Sequence, residues 1–193
     1  LQELLYEGNR LILKRAENTN RKTKWDLLAA KYEENWVFVN SAYHRQLGVW
    51  AIENGKLGFV PEKVRPEVKI GRSRLDFEVI TEGKKSTFVE TKGCTLAIDH
   101  VALFPDAPTL RGARHVEELM GLKSEGYGAS ILIFVFRPDC RCFAPFAKRD
   151  ERFTKLFYDA LKTGVSVKVL KFSYSRDGWI RFIEEIPVCP QKV

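Results

Sequence analysis

Long apolar runs are missing from this chain. The longest, Ile131 to Phe136, falls far short of the ~20 residues that a membrane span requires. No secretory leader is visible, because the opening Leu1-Gln2-Glu3-Leu4-Leu5-Tyr6-Glu7 is acidic and mixed. Cysteine is scarce: Cys94, Cys140, Cys142 and Cys189 are the only four in 193 residues, too few for a secreted disulfide framework. Cys140-x-Cys142 lacks the second pair that a zinc site needs, so the set reads as reduced or loosely paired. His44 and His100 have no partner at metal-ligand spacing and read as ordinary core or surface residues. A Gly-rich phosphate loop and a nucleophile motif are also absent, so nothing supports an enzyme acting on a phosphorylated sugar. The remaining class is a soluble, cytoplasmic, globular protein with no membrane partner.

Positive charge, by contrast, is plentiful. Lys and Arg number 32 against 25 Asp and Glu, a net charge of +7, which favours polyanionic partners. Hydrophobic residues make up 45%, enough to bury a core, and the length allows one or two domains. The chain opens at Leu1 inside what reads as structured sequence, as a piece of a longer product would.

Residues 1–34 have few apolar positions and must lean on something else to fold. Leu11-Ile12-Leu13 reads as a strand, Asn18-Thr19-Asn20 as a turn and residues 25–30 as a second strand. Arg10, Lys14, Arg15, Arg21, Lys22 and Lys24 cluster there. Such a run has a solubility reading and a phosphate-contact reading. The stretch 36–39 predicts a strand, and Asn40 or Ser41 can cap the helix that ends at Asn54-Gly55. Pro61 and Pro66 mark an irregular stretch. Residues 67–70, 75–80 and 86–92 then read as strands, the last two joined as a hairpin through Glu82-Gly83-Lys84-Lys85. Residues 94–108 read as mostly irregular. Thr109 can cap a helix closed by Gly126, with a core stripe of Ala113, Val116 and Met120. The continuous apolar run at 131–136 suits a strand covered on both faces. An amphipathic helix follows at 150–163, then a strand at 165–172. The order predicts an α/β fold, a mixed β-sheet flanked by helices.

The hairpin carries the chemistry. Asp76 and Glu78 share one face of its first strand, and Leu75, Phe77 and Val79 the other. On the return strand Glu90 and Lys92 share a face, roughly 6–7 Å apart. Antiparallel pairing brings the Asp76 end to the Glu90 end, so two carboxylates and one lysine meet on one surface. Two hard oxygen ligands suit Mg²⁺ or Mn²⁺, which makes Asp76 and Glu90 candidate metal ligands in a phosphodiester site. Lys92 can orient water or stabilise developing charge, and the same ammonium can rest in an ion pair with either carboxylate. A bland alternative for the set is a solvated hairpin face. On the following helix Arg111, His115 and Glu118 fall at i, i+4 and i+7 on one polar face, fit for phosphate binding or proton transfer, or for a simple surface pair. Lys69, Arg72 and Arg74 flank the first carboxylate strand as phosphate contacts would. Glu67 is either a third carboxylate or a partner for Arg72 or Arg74, and Asp106 a ligand or a turn-former.

An Asp on one strand with Glu-x-Lys on the next resembles the signature of the PD-(D/E)XK nuclease superfamily, with its restriction-endonuclease-like fold. More of the chain resembles one family, sugar fermentation stimulation protein A (SfsA). The carrying segments are Asn18-Thr19-Asn20-Arg21-Lys22, Phe38-Val39-Asn40, Glu67-Val68-Lys69, Ser73-Arg74-Leu75-Asp76-Phe77, Val89-Glu90-Thr91-Lys92 and Thr95-Leu96. The most distinctive block is Phe104-Pro105-Asp106-Ala107, Thr109, Arg111-Gly112, His115 and Glu118-Leu119-Met120. The resemblance implies the rear part of an N-terminal OB-like domain over 1–34, the family carrying more residues upstream, and a PD-(D/E)XK nuclease-like domain over 35–193. It also implies DNA binding linked to sugar metabolism, with contacts to the backbone and little sequence specificity. The resulting expectation is a metal-dependent nuclease site with Asp76 and Glu90 as ligands, Lys92, Glu67 and His115 as catalytic groups, and Arg72, Arg74, Arg111, Arg10, Lys14, Arg21 and Lys22 on the nucleic acid. The alternative is a DNA-binding regulator that does not cleave. A homodimer is compatible with either.

Overall fold

β-Rich segments separated by three helices give the element order, described for residues 1–190 apart from Thr19 and Arg72 in a computed structural model. The expected phosphate contact of Arg72 and the centre of the 18–20 turn lie outside the described residues. Strands β1 (Leu11–Arg15), β2 (Trp25–Tyr32) and β3 (Asn35–Phe38) form an antiparallel meander. A 3₁₀ turn at Ser41–Tyr43, capped by Asn40 accepting from the Ala42 amide at 3.0 Å, leads into α1 (His44–Glu53). Next come β4 (Lys63–Ile70), β5 (Ser73–Ile80), β6 (Thr87–Cys94), β7 (Leu96–Ile98) and β8 (Val101–Phe104). Then follow α2 (Leu110–Ser124), β9 (Gly128–Val135), β10 (Cys142–Pro145), α3 (Glu151–Lys162), β11 (Ser166–Tyr174) and β12 (Ile180–Ile186).

The main sheet runs β1-β2-β3-β11-β9-β6-β5-β4, with β12 added against β11. At its centre β9 pairs in parallel with β6 on one side and β11 on the other. That position explains its unbroken apolar sequence, since a strand with helices over both faces has no side left for water. Its alternation splits the core in two. Ile131, Ile133 and Val135 pack beneath α2 and α3 with Val116, Leu119, Phe153 and Phe157. Leu132, Phe134 and, just past the strand, Phe136 pack beneath α1 with Ala51, Ile52 and Phe172. Among the described residues no helix is long and apolar enough to cross a membrane.

Three expectations change. Residues 94–108 are not mostly irregular: β7 and β8 form a hairpin, and β10 joins β8 in parallel to make a three-stranded sheet. The two-residue turn between them is Asp99-His100, both at positive φ (49° and 63°). That is the backbone of a tight primed hairpin turn, without the glycine that usually announces one. Second, β4 begins at Lys63 and not Glu67, with Pro66 inside it. A proline is tolerated there because β4 is the edge of the sheet. Third, the cysteines are not all reduced: Cys142 and Cys189 form a disulfide that ties the C-terminal segment to β10.

Candidate functional site

Strands β5 and β6 are paired at Val79–Thr87, Glu78–Phe88 and Phe77–Val89, and the recorded pairing ends there. One further step would set Asp76 against Glu90. From Glu90 onward β6 continues its pairing with β9 instead, Glu90 lying beside Ile131 and Lys92 beside Ile133. The gap is stitched by a side chain. Asp76 Oδ2 accepts hydrogen bonds from the Thr91 amide at 2.7 Å and from Thr91 Oγ1 at 2.6 Å. Among the described residues no hydrogen bond engages Oδ1, and Asp76 lines the cleft.

Glu90 is almost wholly buried, at 3% exposure. Its Oε1 meets both Lys92 Nζ and His115 Nδ1. Its Oε2 is buried with no hydrogen-bond partner among the described residues. Burial alone would push this carboxyl up; the His115 hydrogen bond and the Lys92 charge outweigh it and hold the group below the usual carboxylate range. His115 is also buried, so the polar face expected on α2 turns inward at this residue, and Arg111 Nε approaches its Nε2 at 3.5 Å. With Arg111 donating to Nε2, a neutral ring carries its proton on Nδ1 and gives it to Glu90. The helix start is fixed twice: Thr109 Oγ1 accepts from the Gly112 amide at 3.0 Å, and the Thr109 amide donates to Asp150, which also caps α3.

Asp76, Glu90, Thr91, Lys92, Thr109, Arg111 and Gly112 line a cleft of about 690 Å³ between the first turns of α1 and α2, and His115 reaches it only through Glu90. Glu67 faces it from β4, opposite Asp76 in the register between Pro66–Phe77 and Val68–Leu75. It is exposed and pairs with Arg45 and, at 3.6 Å, with Arg74. The structure therefore gathers Asp76, Glu90, Lys92, His115, Arg111 and Glu67, with Arg74 at the margin. The N-terminal cations stay apart. Arg10, Lys14, Arg21 and Lys22 are exposed on or beside β1 and β2. β1 lies five strands from β6, roughly 24 Å at normal strand spacing. Lys14 pairs with Glu17 at 2.8 Å and Arg21 with Asp26 at 2.6 Å. Asp106 faces a neighbouring hollow and not the cleft.

Comparison with known proteins bears on the whole assembly. The model of the sugar fermentation stimulation protein RE domain matches residues 42–178, and that of the SfsA N-terminal OB domain matches residues 1–39. The chain belongs to the sugar fermentation stimulation protein family. The family homolog of Methanococcoides burtonii is 43% identical over 100% of this chain and 78% of its own length. That of Thermotoga neapolitana is 44% identical over 97% of this chain and 81% of its own length. A solved structure, that of Pyrococcus furiosus SfsA in complex with Ca²⁺, superposes with a TM-score of 0.89 at 27% identity, covering 98% of this chain and 82% of that one. The chain thus joins strands of an OB domain, β1–β3, to a restriction-endonuclease-like domain within one mixed sheet.

For a divalent ion, the SfsA-family chain offers two carboxylates, Asp76 and Glu90. Among the described residues no group of three or more His, Cys, Asp or Glu side chains is placed to hold a metal. Two carboxylates are sufficient for an ion of the Mg²⁺ class, which keeps several waters and takes further oxygens from phosphate. The partnerless Glu90 Oε2 is the observation that fits such an ion, because a buried lone pair without a donor is costly unless a cation meets it.

Two contributors escaped the sequence reading. Thr91 occupies the variable position of Glu-x-Lys, where the spacing itself carries no demand on residue type. His44 lines the cleft, stacks on Phe136 at 5.9 Å and is pushed down to about 4 by burial, aided by the charge of Lys92. Gly93 makes room for its ring, since a Cβ there would collide with the imidazole; a lone glycine after Glu-x-Lys is the one available signal. The two free thiols are buried, and burial pushes Cys140 up to about 12 and Cys94 higher, so neither is a nucleophile.

Proposed function

We propose that this chain is a DNA-binding protein with a metal-dependent phosphodiesterase site built from Asp76, Glu90 and Lys92. The observation that carries the reading is Glu90: a buried carboxylate, one register step from Asp76, with one oxygen held by Lys92 and His115 and the other unpartnered. Mg²⁺ or Mn²⁺ held by Asp76 and Glu90 would supply positive charge to the phosphoryl oxygens and acidify water. The chain's own residues do the rest. Thr91 fixes the rotamer of Asp76 through two hydrogen bonds. His115 and Lys92 fix Glu90, and Lys92, itself little exposed, keeps an ammonium beside the reacting phosphate where low dielectric strengthens its field. Arg111 and Arg45 stand at the start of α2 and near the start of α1, where helix dipoles also favour a phosphate.

The test is cleavage of a DNA panel (single strand, duplex and branched) with Mg²⁺ or Mn²⁺. Metal-dependent products are expected, absent in Asp76→Ala and Glu90→Ala. Intact DNA across the panel with wild-type chain would sink the reading. A second reading, DNA binding without cleavage, draws on the exposed cations around β1, which stand clear of the cleft. It expects salt-sensitive binding that survives Asp76→Ala or tightens with it.

A further inference from the structure

Across α1 from the cleft lies a second hollow, of about 480 Å³, which the phosphodiester chemistry does not use. Its floor is Phe172, fully buried, and its walls are the partly exposed rings of Trp50, Phe182 and Tyr43. Trp50 meets Phe182 at 5.6 Å and Phe172 at 5.8 Å, tilted by 46° and 68°; Phe172 meets Phe182 at 5.8 Å and 69°. None of these pairs is a face-to-face stack, so the rings have not used one another as stacking partners. The volume is that of a small-ligand site, yet cations border it. Lys56 Nζ lies over the Phe182 ring, 4.1 Å from its centroid, and 5.9 Å from that of Trp50, covering one face of each, and Arg181, paired with Asp177, is on the lining.

Gln46 lines both the hollow and the cleft. Arg45 faces the cleft, while Tyr43, Leu47 and Trp50 follow the groove side of the same helix. Trp50 stands about 6 Å along the helix axis from Gln46, a reach comparable with one nucleotide step of an extended strand. A polyanion seated on Arg45 and the cleft thus has an aromatic, cation-bordered recess one step away.

We infer that this groove receives an unpaired nucleobase, stacked against Trp50 and Phe182, and that the chain's ligand is single-stranded DNA. The inference rests on the phosphodiester reading of the cleft and names its substrate class. A duplex cannot satisfy the groove, because its base faces are already stacked within the helix. Aromatic stacking accepts any base, in keeping with contacts that carry no sequence preference.

The test separates base from phosphate. Binding is measured by fluorescence anisotropy without divalent ion, using oligo(dT), an abasic oligomer of equal length and charge, and a duplex. Oligo(dT) is expected to bind about tenfold more tightly than the abasic oligomer. Phe182→Leu, which keeps the apolar volume but removes the ring, should abolish that ratio while leaving abasic binding within twofold. Trp50→Phe, which keeps a ring, should retain the ratio and lose the tryptophan quenching that oligo(dT) produces, and circular dichroism checks that both variants are folded. Equal affinity for oligo(dT) and the abasic oligomer, or a preference for duplex, overturns the inference. So does a dimer that Phe182→Leu dissociates, for then the groove holds a second copy of the chain. Base-dependent binding without cleavage on any substrate removes the nuclease reading and keeps the groove. Cleavage with base-independent binding does the reverse.

Discussion

Two charged side chains are buried to the same degree in different ways. Arg137, beyond the end of β9, and Glu90, on β6, are 2% and 3% exposed. Arg137 is matched one for one: its guanidinium makes two parallel bonds to Asp139 at 2.9 and 2.8 Å and lies 3.9 Å from the centroid of Tyr32. It faces none of the hollows described above. Glu90 opens on a cleft that it shares with Asp76 and Lys92, with Arg111 and the Arg45–Glu67 pair also on the lining. Among the described residues each has one buried atom without a partner, Arg137 Nη1 and Glu90 Oε2. An orphan atom therefore does not mark function by itself. What separates the pairs is access: one closes its charge within the fold and joins β2 to the end of β9, the other faces a cleft that a second carboxylate, Asp76, also lines.

The sharpest way to break this contrast is Glu90→Gln. If the cleft works as proposed, DNA cleavage falls on the order of 10³-fold in a steady-state assay, while the urea midpoint shifts far less than in the Arg137 variant. Arg137→Ala should do the opposite. It strands Asp139 and removes the Tyr32 contact, at a cost of about 3–4 kcal/mol by urea unfolding, with cleavage per folded molecule unchanged.

A titration tests a third buried group, His44. Its folded-state pKa of about 4 lies below the ordinary 6.5, so between these values the unfolded chain binds the extra proton. Stability from this group is fully present above pH 6.5 and is lost as the pH falls towards 4, by about 2–3 kcal/mol. His44→Phe should flatten that part of the stability profile. The smallest effect belongs to Thr91. Thr91→Val keeps shape and the amide bond to Asp76 but loses the hydroxyl, and Mn²⁺ affinity measured by calorimetry should weaken about tenfold. Thr91→Ser should restore it.

Much of the scaffold could be read in advance where local signals and long-range needs agree. Thr109 and Gly126 bracket α2, nearly all of the apolar run at 131–136 lies in the doubly covered β9, and Asp76 and Glu90 fall on adjacent strands one step beyond their last recorded pair. What escaped depends on contacts between distant residues. β10 exists because β8 offers it an edge, and β12 because β11 does. The Asp99-His100 turn has the right backbone without the residue that advertises it. His115 is polar by type and buried by partnership, since only Glu90 and Arg111 together make that burial tolerable. The Cys142–Cys189 pairing spans 47 residues and has no local trace.

The central position of β9 has a consequence for the life of the chain on the ribosome. Glu90 obtains its neighbours from β9, made some forty residues later, and from His115 on the helix between. Parallel partners cannot pair until the crossover joining them is complete. A nascent chain that has exposed Asp76, Glu90 and Lys92 but not yet residues 128–135 carries every acidic group of the cleft without the strand that backs Glu90. Whatever chemistry this site performs is therefore withheld until synthesis has passed the middle of the chain, a delay built into the order of the strands.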